Sequence, residues 1–171
     1  MGNSGHDLVI DILAVIWYHI SVKQIKETMS MIYTSRFSNP ELKKGFYTAV
    51  RISLGAPKWD TGYRLYGEIK DLMPFGLLGK YDNSPEAFRR KYFARLDGIG
   101  VNRIQRQLAH FDKMGQDVVL LCWEDVRKDG EWCHRTMFSE WWMGKTGEKI
   151  QECTGSTIGI GEQANGASGR T

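Results

Sequence analysis

Apolar and polar positions divide the chain into short β-type runs and longer helix-type runs. Met31 to Ser35 is a compact β-forming stretch, and Asn39-Pro40 after it marks a turn. Tyr47 to Leu54 predicts a second strand, stopped by Gly55-Ala56-Pro57. Tyr63 to Gly79 carries short apolar pieces and repeated glycine, and it predicts no clear element. Ser84-Pro85-Glu86 is a helix start: a hydroxyl to accept from free N–H groups, a fixed φ, and an acid at the positive end. That helix is expected to run to about Leu96, with Asp97-Gly98 ending it. Val101, Ile104, Leu108 and Phe111 fall at helical spacing and predict a helix to about Lys113. Asp117 to Trp123 is an apolar, β-branched run between turn signals, the pattern of a strand buried on both faces. His134 to Met143 predicts a last helix whose apolar side is Met137, Phe138, Trp141 and Trp142.

Strands separated by helices imply one α/β domain with a mostly parallel sheet flanked by helices. In such sheets ligands bind beyond the carboxyl ends of the strands. Ser35-Arg36, Ser53-Leu54-Gly55 and Cys122-Trp123-Glu124 all stand at such ends, so one crevice drawing on all three is expected.

The 171 residues suit a single core, taken to span 31–152. Residues 1–30 are expected to form a helical extension around Asp7 to Lys26, and 153–171, rich in Gly, Ser, Ala and Thr, a flexible tail. Leu8 to Val22 is apolar but falls short of the roughly 20 residues of a membrane span, so no membrane association is expected. Three cysteines, an odd number without a secretory signal pattern, point to a reducing, cytoplasmic setting.

The net charge of +3 neither demands nor excludes a polyanion, but the charge is unevenly spread. Thr34 to Gln116 holds 15 Lys/Arg against 8 Asp/Glu, whereas Asp117 to Glu152 holds 5 against 8. Arg89, Arg90, Lys91 and Arg95, interleaved with Phe88, Tyr92 and Phe93, read either as a nucleic-acid surface or as the solvated side of a helix whose aromatics are core.

The chemistry concentrates near Cys133-His134-Arg135. A thiol at a helix start beside an imidazole and a guanidinium has the surroundings of a thiolate nucleophile, and it equally suits a buried structural cysteine. His134 suits proton transfer or a capping role, and being adjacent in sequence does not make it face Cys133. Arg135 reads as a bidentate grip on an anion or as the partner of Glu124, Asp125 or Glu131. Cys122 and Glu124 share a side if the strand continues that far, making Glu124 a candidate base and Cys122 a redox partner or a small core residue. Cys122 and Cys133 with His134 and Glu124 also read as a metal set, but their spacing matches no metal signature, so no metal is assigned and the cofactor stays open. Ser35, Arg36, Ser53, Gly55 and Lys58 form a second tier of substrate-binding candidates, with Pro57-Lys58-Trp59 as a rigid turn able to stack on and grip a nucleotide.

Ile-Tyr-Thr-Ser at 32–35, Ile-Ser-Leu-Gly-Ala-Pro-Lys-Trp at 52–59, Val-Val-Leu-Leu-Cys-Trp-Glu at 118–124 and Cys-His-Arg at 133–135 resemble the domain-of-unknown-function family numbered 488, over about Met31 to Gln151. The resemblance implies an α/β domain with a parallel sheet and unassigned activity. It implies shared polar positions at Cys122, Glu124, Cys133, His134 and Arg135. Trp123 departs from the small residue common there and would narrow or cap a site. The expectation is a small hydrolase or group transferase for an anionic, nucleotide-like substrate. The alternative is a non-catalytic module that binds nucleic acid or protein through the basic helix 84–96.

Overall fold

The computed structural model describes residues 30–77 and 84–153. The expected N-terminal helix and the tail from 154 onward lie outside the described residues.

The domain is α/β, with five parallel strands in the order β3-β2-β4-β1-β5. The strands are β1 (Ile32–Arg36), β2 (Tyr47–Arg51), β3 (Leu65–Glu68), β4 (Asp117–Cys122) and β5 (Gln151–Glu152). Among the described residues three α-helices accompany them: α1 (Pro85–Ile99), α2 (Val101–Asp112) and α3 (His134–Thr146). β4 sits at the centre, and its burial on both faces explains why its sequence lacks polar alternation. Val118 and Leu120 join Val50, Ile52 and the three helices in one apolar cluster. Val119 and Leu121 join Tyr33, Ala49, Phe37, Leu42 and Cys153 on the other face. Cys153 therefore belongs to the domain rather than to a tail: it is buried, and its N–H donates to the Thr34 carbonyl at 2.7 Å.

Strand order determines where a crevice can open. From β1 the chain passes the 3-10 turn Pro40–Lys44, takes up β2 on the far side of β4, and continues outward to β3. It then reverses, as α1 and α2 bring it back to β4 and α3 carries it on to β5. Right-handed crossovers put these two directions on opposite faces, in agreement with the two clusters. The neighbours β2 and β4 consequently send their exits apart, and the gap between them is the switch point of the sheet.

The ends of the elements follow local chemistry. The Ser84 side chain accepts from the Ala87 N–H at 3.3 Å, with Pro85 opening α1. α1 runs past the expected stop at Gly98 and breaks at Gly100, where φ is 82°. α3 runs three residues beyond Met143 and closes at Gly147, with φ of 75°. β3 and β5 were not predicted from the sequence. β3 is a half-buried edge strand, and a Cβ on its Gly67 would lie 2.9 Å from the Phe111 ring, so only glycine lets the helix side chain lie on it.

A buried ion pair ties the first turn of α3 to the sheet edge. Arg135 is 0% exposed; its Nε and Nη2 donate to Glu152 on β5 at 3.1 and 2.9 Å. Thr34 of β1 donates to the same carboxylate at 2.8 Å. Removing one partner of a buried pair strands the other's charge, whereas replacing the cation by an apolar chain of similar length does not. Glu152→Ala should cost about 3 kcal/mol in urea unfolding, and Arg135→Met distinctly less.

Candidate functional site

β4 ends at Cys122, so the chain leaves the sheet at Trp123 and Glu124. It returns at Cys133, the extended residue that caps α3 with φ of −149°. The Cys133 side chain makes no capping bond, which leaves its sulfur to face the strand ends. Cys133 Sγ lies 2.8 Å from Glu124 Oε2 and 3.8 Å from His134 Nδ1. Cys122 Sγ lies 3.7 Å from the same nitrogen. Sequence adjacency alone did not predict that His134 would face both sulfurs. Its orientation comes from the other ring nitrogen, Nε2, 2.9 Å from the Ile52 carbonyl. A carbonyl can only accept, so Nε2 carries a hydrogen toward Ile52, and Nδ1 is left as the nitrogen that faces the thiols. The edge of Tyr92 packs against the ring, with centroids 5.7 Å apart, and its hydroxyl donates to the Leu72 carbonyl.

The two thiols differ in acidity. Burial pushes the Cys133 thiol up, but hydrogen bonds from Cys122 and His134 and the charges of His134 and Arg135 outweigh it and bring it down to about 6. Cys122 moves the other way, because its hydrogen bond to Cys133 and its own desolvation favour the thiol. Burial also pushes Glu124 up, and hydrogen bonds from Cys133 and Cys122 outweigh it and hold the carboxyl below its ordinary value. A full thiolate and a full carboxylate 2.8 Å apart would repel, so at this approach the Cys133 thiol donates its hydrogen to the Glu124 carboxylate.

This cluster borders a cavity of about 370 Å³ at the switch point. Ser53, Leu54 and Gly55 form the wall beyond β2, and Trp123, Trp132 and Phe88 give it flat apolar sides. The Ser53 hydroxyl donates to the Gly55 carbonyl at 2.6 Å and so fixes that loop. Trp123 is 39% exposed and sits edge-on between Trp59 and Phe37, at 5.3 and 4.9 Å. It is one of the residues that line the cavity.

Two of the three strand ends expected at the crevice meet there, and the third does not. Ser35 donates to the Cys153 carbonyl and accepts from Asn39, buried away from the cavity because β1 exits toward the opposite face. Arg36 pairs with Asp125 at 2.7 Å. Lys58 is exposed and does not line the cavity. Arg135 was expected as an anion clamp or as the partner of Glu124, Asp125 or Glu131; it is instead sealed against Glu152, beneath the site. Among the described residues, the charged groups lining the cavity are Glu124 and Glu131, so the wall is acidic. On the basic helix, Arg89 binds Glu140 and stacks on Phe93, and Arg95 donates to the Phe75 carbonyl. Arg90 and Lys91 are exposed. The sequence reading missed Trp132 as a wall and the Ile52 carbonyl as the group that orients His134. Trp132 carried a signal, since it stands directly before Cys133.

No family model matches the chain, and no curated protein and no solved structure matches it. Among the described residues no helix is long and apolar enough to cross a membrane.

His134→Phe keeps the shape that packs on Tyr92 and strands the Ile52 carbonyl. It should lower unfolding stability by about 1–3 kcal/mol, measured by denaturant titration.

Proposed function

We propose that this protein is a small enzyme, a hydrolase or group transferase, that works in the cavity at the β2–β4 switch point. The observation that carries this reading is the 2.8 Å approach of Cys133 Sγ to Glu124 Oε2 on the wall of a ligand-sized cavity. A nucleophile needs a base within hydrogen-bond reach, and this pair provides both. In the proposed step Cys133 sulfur attacks an electrophilic carbon of the substrate while its proton passes to Glu124. The protonated Glu124 then returns that proton to the departing group. A second nucleophile, water in hydrolysis or another group in transfer, attacks the resulting thioester-like adduct; its proton passes to Glu124 and from there to the sulfur as the carbon–sulfur bond breaks. His134 and Cys122 hold the attacking sulfur in place.

The anionic, nucleotide-like substrate expected from the sequence relied on Arg135, Lys58 and Arg36, none of which faces the cavity. The acidic wall and the Trp123, Trp132 and Phe88 sides favour a flat, neutral or cationic group. The reading includes the proposal that the chain belongs with family 488, since four of the five polar residues carrying that resemblance, Cys122, Glu124, Cys133 and His134, line one cavity. The nucleic-acid alternative has less support, because Arg89 and Arg95 are engaged within the chain.

Iodoacetamide applied to reduced, metal-free protein should label Cys133 at least tenfold faster than Cys153, which is buried against Tyr47 and Asn39. Glu124→Gln should slow that labelling several-fold. Equal rates at Cys133 and Cys153, read by peptide mapping, would remove the nucleophile.

A further inference from the structure

We infer that Cys122, Cys133 and His134 form a binding site for one thiophilic divalent cation of the zinc class. The three donor atoms lie within 4.8 Å of one another, and all three residues are buried. A tetrahedral ion with bonds of about 2.3 Å to sulfur and about 2.0 Å to nitrogen sets its sulfur and nitrogen ligands about 3.5 Å apart. The observed separations from His134 Nδ1 are 3.7 Å to Cys122 and 3.8 Å to Cys133, so little movement is needed to receive the ion.

Three further features select this chemistry. First, His134 is fixed in the tautomer a metal ligand needs. Its Nε2–H goes to the Ile52 carbonyl, which leaves Nδ1, the nitrogen facing both thiols, as the atom to bind an ion, as outer hydrogen bonds orient ligating histidines elsewhere. Second, two sulfurs and one imidazole favour zinc-class ions over magnesium or calcium, which take oxygen ligands. Third, the charge balances. When the divalent ion enters, two S–H bonds break, two metal–sulfur bonds form and two protons leave to solvent. The buried cluster gains no net charge relative to its fully protonated-thiol form. Three protein ligands leave a fourth position for a donor from the cavity, with Glu124 beside it.

The consequence for activity rests on the reading of Cys133 as the attacking group. A sulfur held by the ion is withdrawn from attack, so loading with metal and thiol chemistry exclude one another. Metal binding would then act as a reversible block on the enzyme.

Titration of reduced full-length protein with zinc against a chromophoric chelator tests the site itself. The expected result is one ion per chain, with Cys122→Ser, Cys133→Ser and His134→Asn each weakening binding at least tenfold and Cys153→Ser leaving it unchanged. Cobalt added to the unaltered protein should give a sulfur-to-cobalt charge-transfer band and the visible bands of a tetrahedral centre, a readout that does not depend on whether the variants fold. Absence of zinc binding, a cobalt spectrum without the sulfur band, or dependence on Cys153 would overturn the site. Zinc should also slow iodoacetamide labelling of Cys133 at least tenfold, and full labelling of the zinc-bound protein would overturn the exclusion. Zinc bound with normal stoichiometry beside a Cys133 that stays inert when metal-free would sink the nucleophile and keep the metal site. A reactive Cys133 with no zinc bound would do the reverse.

Discussion

A guanidinium sealed from water cannot stand without its anion, and the domain is arranged around meeting that demand at Arg135. Its partner Glu152 lies on the last strand, whose two residues pair with β1. The first turn of α3 is thereby fastened to the β1–β5 side of the sheet. Cys133 and His134 precede Arg135 directly, so the ion pair braces them from behind while Ile52 positions His134 from the β2 side. The face of the helix start that looks toward β2 and β4 is left for chemistry. A charged residue that resembles a ligand grip in the sequence thus serves as the fixed point against which the reactive groups are held.

The second organising element is the reversal of chain direction after β3. It forces the exits of β2 and β4 apart and opens a cavity between their ends. Everything reactive then comes from two short segments: Cys122 to Glu124 leaving the sheet, and Cys133 with His134 returning to it. The loop between them, closed by the Lys128–Asp125 and Glu131–Lys128 backbone hydrogen bonds at 3.0 and 3.1 Å, is compact enough to fold the carboxylate back onto the thiol.

Much of this was legible in the residues. β1, β2, β4 and all three helices announce themselves because each buries a face, and burial creates the apolar spacing that a sequence displays. β3 and β5 are quieter for the same reason. Leu65–Glu68 is half-buried throughout, and Gln151–Glu152 is too short to have a period. The thiols, Glu124 and His134 could be gathered to one place from their positions alone. The roles of Ser35, Arg36 and Arg135 could not, because those depend on which strand lies beside which. Strand order is a long-range property: Thr34 and Glu152 are 118 positions apart in the chain and share a hydrogen bond. Trp132 and the Ile52 carbonyl were overlooked because a wall and a main-chain acceptor have no reactive side chain to draw notice.

The indole walls of the cavity give the protein a built-in optical gauge. Trp123 and Trp132 border the site, and Trp59 lies 5.3 Å from Trp123, close enough for one ring to sense the surroundings of the other. Of the six tryptophans, Trp141 and Trp142 are buried under α3 and keep a constant environment as a baseline. Anything that settles between the walls changes the polarity around Trp123 and Trp132 and shifts their emission. Compound collections can therefore be screened against the unlabelled protein by its own fluorescence, before any substrate is in hand.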